Sequence, residues 1–306
     1  MTQILLKMNT IKNVFSIKDL ENLSGIKAHT IRIWEKRHKL LEPERSDTNI
    51  RSYSLSSLQK LLNISYLNSS GYKIAKIVAL DEFEIAAKVN QISYNGHIKN
   101  HALNAFKISM LNFDQELFYK TYNRLIEEKN FKEVFYEFFI PLIKEIGLLW
   151  QTLTIQPSHE RFLTAHIRQK LLIHIERLQS ANPKPDTKTF VLFLPINEIH
   201  DVGLLFLKFE LLSRGYHTIY LGENTPLEDL NILNNLYQNI TYVSYFTIKP
   251  DTENLNSYLD EFYTSALKNT TNSALLLGTR FIDFDAKKLP KKMKLYNSIE
   301  NLVKDL

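Results

Sequence analysis

Apolar positions recur along the chain in three rhythms. Up to about residue 80 they come in short bursts at helical spacing, separated by polar turns. Ser16 stands before the first burst as an N-cap with Asp19 three residues on, Leu20 and Leu23 share a face, and Gly25 closes the helix in a left-handed cap. A second short helix is read over 28–37, "AHTIRIWEKR", with Ile31 and Trp34 on one face and His29, Arg32, Lys36 and Arg37 on the other. The tryptophan, opposite the basic face, is read as core. After Pro43 the polar stretch "ERSDTNIRSY" leaves room for a hairpin. A Ser-capped helix with Leu58, Leu61, Leu62 and Tyr66 at helical spacing follows, then a break at Gly71 and a further short helix.

From about 97 to 180 the rhythm is helical throughout. Phe131, Phe135, Phe138, Leu142, Ile146 and Leu149 fall three and four apart, and Pro141 should kink or reset that helix. "PSHERFLTAHIRQKLLIHIERL" runs on as another helix, and about four such segments make a small four-helix bundle. No heptad repeat persists, so no long dimerising coiled coil is expected. "SANPKPDTKT", residues 180–189, reads as a linker. Beyond it the rhythm becomes continuous: "FVLFLP", "HTIYLG", "TYVSYFT" and "ALLLG" are buried-strand candidates, alternating with helical patterns at 201–214, 226–238 and 253–268. That alternation predicts a doubly wound parallel sheet, whose ligands bind beyond the carboxyl ends of the strands.

The chain has 306 residues and no cysteine, which excludes disulfides, iron–sulfur clusters and thiolate metal sites. No apolar run approaches membrane-spanning length, and "MTQILLKMNT" is too short in its apolar part for a signal peptide, so a cytoplasmic protein with no membrane partner is expected. The net charge of +5 is uneven: residues 1–80 carry 9 Lys and 4 Arg against 6 acidic residues, so the basic excess belongs to the N-terminus. Such a balance suits a polyanion, with nucleic acid first; a merely solvated basic surface is the alternative.

Helix, glycine turn and basic helix form a helix-turn-helix pattern. Over about 14–80 the sequence resembles the DNA-binding domain of MerR-type regulators, with Ser24, Gly25, Thr30, Ile31, Arg32, Trp34, Glu35, Pro43, Arg45, Arg51, Tyr53, Gly71 and Ile77 as matching positions. Lys39 stands where that family usually has glycine. The resemblance implies a winged helix on double-stranded DNA, with Thr30, Arg32 and Arg37 contributed by the second helix and Arg45, Arg51 and Tyr53 by the wing.

The turn "EIHDVG", 198–203, lies where the sheet should bind its ligand. A histidine there can ligate a metal through one ring nitrogen while Glu198 accepts the proton of the other, and Gly203 lets backbone come close to something bulky. His200 merely capping the next helix is the alternative. Residues 188–306 resemble the flavodoxin-like cobalamin-binding domains, in which an acid, a histidine and a glycine occupy this loop. The resemblance implies His200 as the lower cobalt ligand, Glu198 as its orienting partner, and Ser244 and Gly278 beside the nucleotide tail, with Thr279 departing from a double glycine.

The bundle then resembles that of the light-responsive, cobalamin-dependent MerR-type repressors of carotenoid genes. Trp150 and Glu160 match positions implied to cover an adenosyl upper ligand, while Arg161 replaces a histidine and cannot ligate cobalt. Read without the resemblance, Trp150 is bundle core and Glu160 a first-turn acid favoured by the helix dipole. The whole therefore reads as a non-enzymatic regulator in three domains: a winged helix at 1–80, a bundle at 81–180 and a cobalamin-binding α/β domain at 188–306, with the cofactor controlling assembly into a dimer or tetramer on DNA. A cobalamin-free regulator and a methyl-transfer cobalamin carrier are the competing readings.

Overall fold

In a computed structural model of the chain, residues 14–45, 48–93, 98–179 and 188–306 are described; the linker read over 180–189 lies, up to residue 187, outside the described residues. The chain divides between His166 and Ile167 into two compact units.

The first unit begins with β1 (Val14–Phe15), α1 (Ile17–Ser24) and α2 (Ala28–His38). Ser16 and Asp19 form a reciprocal capping box at the start of α1, and Gly25 ends it at φ +74°. α2 ends on Lys39, which takes φ +50° and donates its N–H to the Glu35 carbonyl. The lysine thus occupies the left-handed position that a glycine fills without strain. Next come β2 (Glu44–Arg45) and β3 (Arg51–Ser54), an antiparallel hairpin pairing Arg45 with Arg51, and β1 joins the other side of β3. Ser54 caps α3 (Leu55–Ser69), whose Leu58, Leu61, Leu62 and Tyr66 are buried, and α4 (Ile74–Ile77) and α5 (Glu82–Ser93) follow. Trp34 is half-buried at the margin of this core rather than inside it, while Ile31 is fully enclosed.

Further helices complete the first unit: α6 (Ile98–Asn112), α7 (Gln115–Glu128), α8 (Phe131–Val134) and α9 (Ile140–Gln151). Every position of the 131–149 stripe named above is buried. Pro141 does not reset the helix. One π turn, Phe135–Phe139, joins α8 to α9, and Ile140 donates back to the Phe135 carbonyl. The widened turn gives the proline ring the room that an α-turn denies it. Rings of Phe106, Phe118 and Phe139 pack together at the centre, 5.1 to 6.4 Å between centroids. α6 and α9 also hold α1: the buried Lys107 Nζ donates to the Leu23 carbonyl at 3.2 Å and to Glu145 at 2.8 Å, and Asn22 donates to the buried Thr154 hydroxyl at 2.9 Å. α10 (Pro157–Gln179) starts in this unit.

The second unit is a five-stranded, wholly parallel sheet. β4 (Thr189–Phe193) is flanked by β5 (His217–Gly222) and β6 (Thr241–Tyr245), and β7 (Ser273–Leu277) and β8 (Met293–Leu295) extend the β6 side, giving the order β5-β4-β6-β7-β8. The order reverses between β4 and β6, so their carboxyl ends form the switch point of a doubly wound fold. Val191 and Phe193 face a core with Tyr242 and with residues of α12 (Leu230–Leu236) and α13 (Leu255–Phe262). α11 (Val202–Ser213), apolar on nearly all sides, packs with α14 (Ile299–Lys304). β8 escapes a hydropathy reading because only Met293 of its three residues is buried.

Candidate functional site

On the first unit, α2 presents His29, Arg32, Lys36 and Arg37 as exposed side chains, with Thr30 half-buried beside them. Arg45 is exposed on the hairpin, its guanidinium bonded to Asn49 Oδ1 at 2.5 Å. The other two wing residues are taken up internally. Tyr53 is 1% exposed and its hydroxyl donates to Glu35 Oε1 at 2.5 Å, while Arg51 Nε lies 3.5 Å from Glu35 Oε2. Burial, and then the Glu35 carboxylate, push the Tyr53 phenol well above its ordinary range. Tyr53 and Arg51 therefore fix the wing to α2 through Glu35. Nothing in the local pattern signals that partner, eighteen positions from Tyr53.

On the second unit the EIHDVG turn connects β4 to α11 at the carboxyl edge of the sheet. Glu198 is fully buried, and its carboxylate accepts six N–H groups. Oε1 takes those of Ile199 and His200 and His200 Nδ1 at 2.5 Å; Oε2 takes those of Thr247, Ile248 and Lys249 at 2.5 to 3.0 Å. Burial by itself would raise its pKa. The bonds from His200 and from the backbone of 248, 249 and 200 outweigh that and hold the carboxyl at about 2. An ionised Glu198 assigns the proton between them to His200 Nδ1, so the carboxylate fixes the tautomer and orientation of the ring. The His200 ring is 36% exposed.

The neighbouring Asp201 accepts from Arg168 Nε at 2.8 Å and from the Tyr220 hydroxyl at 3.3 Å. Gly203 serves a close approach, but to the protein itself: a Cβ there would stand 3.0 Å from the Tyr245 ring. Ser244 is fully buried and donates to the Phe193 carbonyl at 2.8 Å, locking β6 to β4. Gly278, at φ +121°, lets the loop after β7 meet the loop after β6, because a Cβ would fall 2.0 Å from the Phe246 carbonyl oxygen. Thr279 and Arg280 bind the same loop through the carbonyls of Thr247 and Ile248. Ile196, Ile199, Leu221 and Ile248 expose 38 to 56% of their surface at the ends of β4, β5 and β6. Exposed hydrocarbon beside an oriented imidazole matches what the face of a corrin ring and its cobalt require, so the residues present fit a corrinoid.

Trp150 belongs to the first unit, near the end of α9, and is 47% exposed; Leu148 and Leu153 beside it are 62% and 81% exposed. Trp150 is thus not bundle core. Glu160, half-buried, and Arg161, exposed, lie in the first turn of α10. His159 is fully buried, accepts the Gln156 N–H at Nδ1 and stacks on Phe113 with centroids 5.0 Å apart, so it acts as an internal cap of α10. Sequence reading missed the loop 247–249, the Arg168–Asp201–Tyr220 cluster and the apolar rim. Their signal is spread over segments that meet only in the fold.

Residues 15–83 match the family described as MerR HTH family regulatory protein, and residues 102–173 match the B12 binding domain. The chain is 25% identical over 226 residues to the HTH-type transcriptional repressor CarH of Myxococcus xanthus, covering 72% of this chain and 74% of that one. It is 23% identical over 215 residues to the repressor CarA of the same organism, covering 69% and 68%. Among solved structures, the monomethylamine corrinoid protein of Methanosarcina barkeri superposes with a TM-score of 0.55 at 11% identity, over 65% of this chain and 94% of the other, which shows a shared fold. The two matched segments, and sequence kinship with two repressors across most of the length, lead to one reading: the chain joins a segment that matches the MerR helix-turn-helix family to one that matches the B12 binding domain, and it is homologous to the repressors CarH and CarA.

Proposed function

We propose that the chain is a transcription regulator that binds double-stranded DNA through α2 and the β2–β3 wing and uses cobalamin as its sensing group. The observation that carries the cofactor reading is the buried Glu198 carboxylate on His200 Nδ1, which orients the imidazole and fixes its tautomer. When bound, cobalamin would supply a cobalt centre that an imidazole can ligate and that can exchange another ligand. His200 would ligate it, Glu198 fixes the imidazole tautomer and raises its basicity, and the exposed apolar side chains at the strand ends would support the ring. Ser244 and Gly278 shape the strand ends beside the tail by holding their loops together. Trp150 would pack on a second cobalt ligand such as adenosyl, and Glu160 would accept hydrogen bonds from it. The DNA contacts are Thr30, Arg32, Arg37 and Arg45, with Arg51 and Tyr53 positioning the wing through Glu35. The role is regulatory rather than enzymatic, and cofactor state controls assembly into a dimer or tetramer on DNA.

A light response through capture of cobalt by a second histidine has no support at Arg161, a permanent cation, or at His159, enclosed as a helix cap. The cobalamin-free alternative draws on Thr279 and Arg280, whose bonds to 247 and 248 tighten the strand ends. Gel filtration with absorbance detection, in the dark with adenosylcobalamin, separates the two. We expect cobalamin absorbance to co-elute with the wild type and to be lost or spectrally altered with His200→Ala. Two colourless proteins eluting at the same volume would reject the cofactor reading and leave the DNA reading standing.

A further inference from the structure

The outward face of α2 is basic except at its middle. With about 100° of turn per residue, and with the fully buried Ile31 taken as the inward direction, Ile33 points about 200° away, at the centre of the exposed face. His29 and Arg37 lie within about 40° of it and Lys36 and Thr30 within about 60°, whereas Arg32 stands about 100° away at one flank. Ile33 is 44% exposed. A β-branched apolar side chain is a poor choice there on two counts: it lowers helix propensity slightly and it leaves hydrocarbon in water inside a cationic field. A residue kept for solubility or for phosphate contact would be polar.

We infer that Ile33 is a specificity-determining residue that reads thymine through its 5-methyl group. The inference rests on the reading of α2 as the groove-binding helix. Phosphates attract the surrounding cations without regard to sequence, and in the major groove the apolar landmark is the thymine methyl, which neither cytosine nor a purine presents. Polar neighbours on the same face can bond to base edges, but an isoleucine can answer only to hydrocarbon. It therefore adds a contact that Arg32 and Arg37 cannot make, to the hydrocarbon that a thymine presents and a cytosine at the same place lacks.

The test uses the full-length chain with adenosylcobalamin in the dark. A random duplex library is selected with the wild type and with Ile33→Ala, and the selected wild-type site is then remade with deoxyuridine at one thymine at a time. Deoxyuridine keeps every hydrogen-bonding group of thymine and lacks only the methyl. At one thymine per half-site the wild type should lose roughly fourfold in affinity, the worth of a single buried methyl, and Ile33→Ala should bind both versions equally. Ile33→Val should retain most of the discrimination. An unchanged melting temperature in both variants establishes that the surface alone has been altered. If the deoxyuridine penalty persists at full size in Ile33→Ala, or if the alanine variant selects the same thymines, the assignment to Ile33 is overturned while DNA binding stands. If the wild type selects no sequence, the DNA reading fails and takes this inference with it.

Discussion

The two regions proposed to carry function are built on opposite plans. On the helix-turn-helix the proposed contacts are exposed cations on one short helix and a hairpin, and the buried Tyr53 and part-buried Glu35 hold the wing in place. At the sheet edge the proposed ligand is one half-exposed histidine, and nearly everything that defines it is buried: a carboxylate with six N–H donors and two glycines that bring side chain or loop into contact. A surface for a polyanion tolerates loss of single contacts because the attraction is summed over many. A metal-ligand site concentrates its requirements in few atoms, so single changes there should propagate through the unit.

The largest effect is expected at Gly278. Alanine places a Cβ 2.0 Å from the Phe246 carbonyl oxygen at a φ of +121°, and should destabilise the second unit by about 4 kcal/mol or prevent its folding, as read by chemical denaturation. Glu198→Gln comes next, since an amide cannot accept from donors on both sides and turns an NH2 group toward one set of them. We expect a loss of about 3 kcal/mol together with altered cobalamin absorbance. The same carboxylate predicts an acid transition. A carboxyl whose folded pKa lies below its unfolded value contributes stability that is complete above the unfolded value near 4.5 and is lost as pH falls towards about 2, amounting to about 3 kcal/mol across that window. The stabilities of the wild type and of Glu198→Gln should converge as pH falls from about 5 to about 2. If the two curves stay parallel, Glu198 is not the group responsible.

Smaller effects should fall on the other region and sharpen the contrast. Arg45→Ala should leave stability within about 0.5 kcal/mol of wild type while lowering the slope of log affinity against log salt by about 1, because one phosphate contact is lost. An unchanged slope would remove Arg45 from the interface. The smallest effect expected is a gain: Lys39→Gly relieves a left-handed backbone at φ +50° and should stabilise the first unit by about 0.5 kcal/mol in thermal denaturation.

What the sequence discloses follows the same division. The capping box of Ser16 and Asp19, the glycine turn at Gly25, the hairpin and the buried stripes of α3 and of 131–149 are local, and local periodicity and cap chemistry suffice to read them. The pairing of Glu198 with His200 is legible for the same reason, being two residues apart. Interactions closed over long stretches of chain are not: the hold of Glu198 on 247–249, the packing of Tyr245 on Gly203 and the bond between Tyr53 and Glu35 appear only once strands bring the segments together. Trp34 shows a further limit, because its helix face is readable but how deeply that face is covered depends on neighbours. At Pro141 the helix runs on, and a π turn before it, which the local pattern does not announce, is how the chain accommodates the ring.

The contact of Lys107 with the end of α1 has a consequence for geometry along DNA. Because that ammonium is buried against the Leu23 carbonyl and Glu145, α1, α6 and α9 share a fixed point, and with α2 packed on α1 and lying in a groove, as proposed, turning it about the duplex would carry α6 and α9 with it. The azimuth of those helices around the duplex is then set by the base pair at which α2 docks. Two sites a whole number of turns apart, at multiples of about 10.5 base pairs, would present α6 and α9 on the same side of the double helix, and a half-turn more would place them on opposite sides. The phase of an operator, and not only its sequence, would decide which copies can meet.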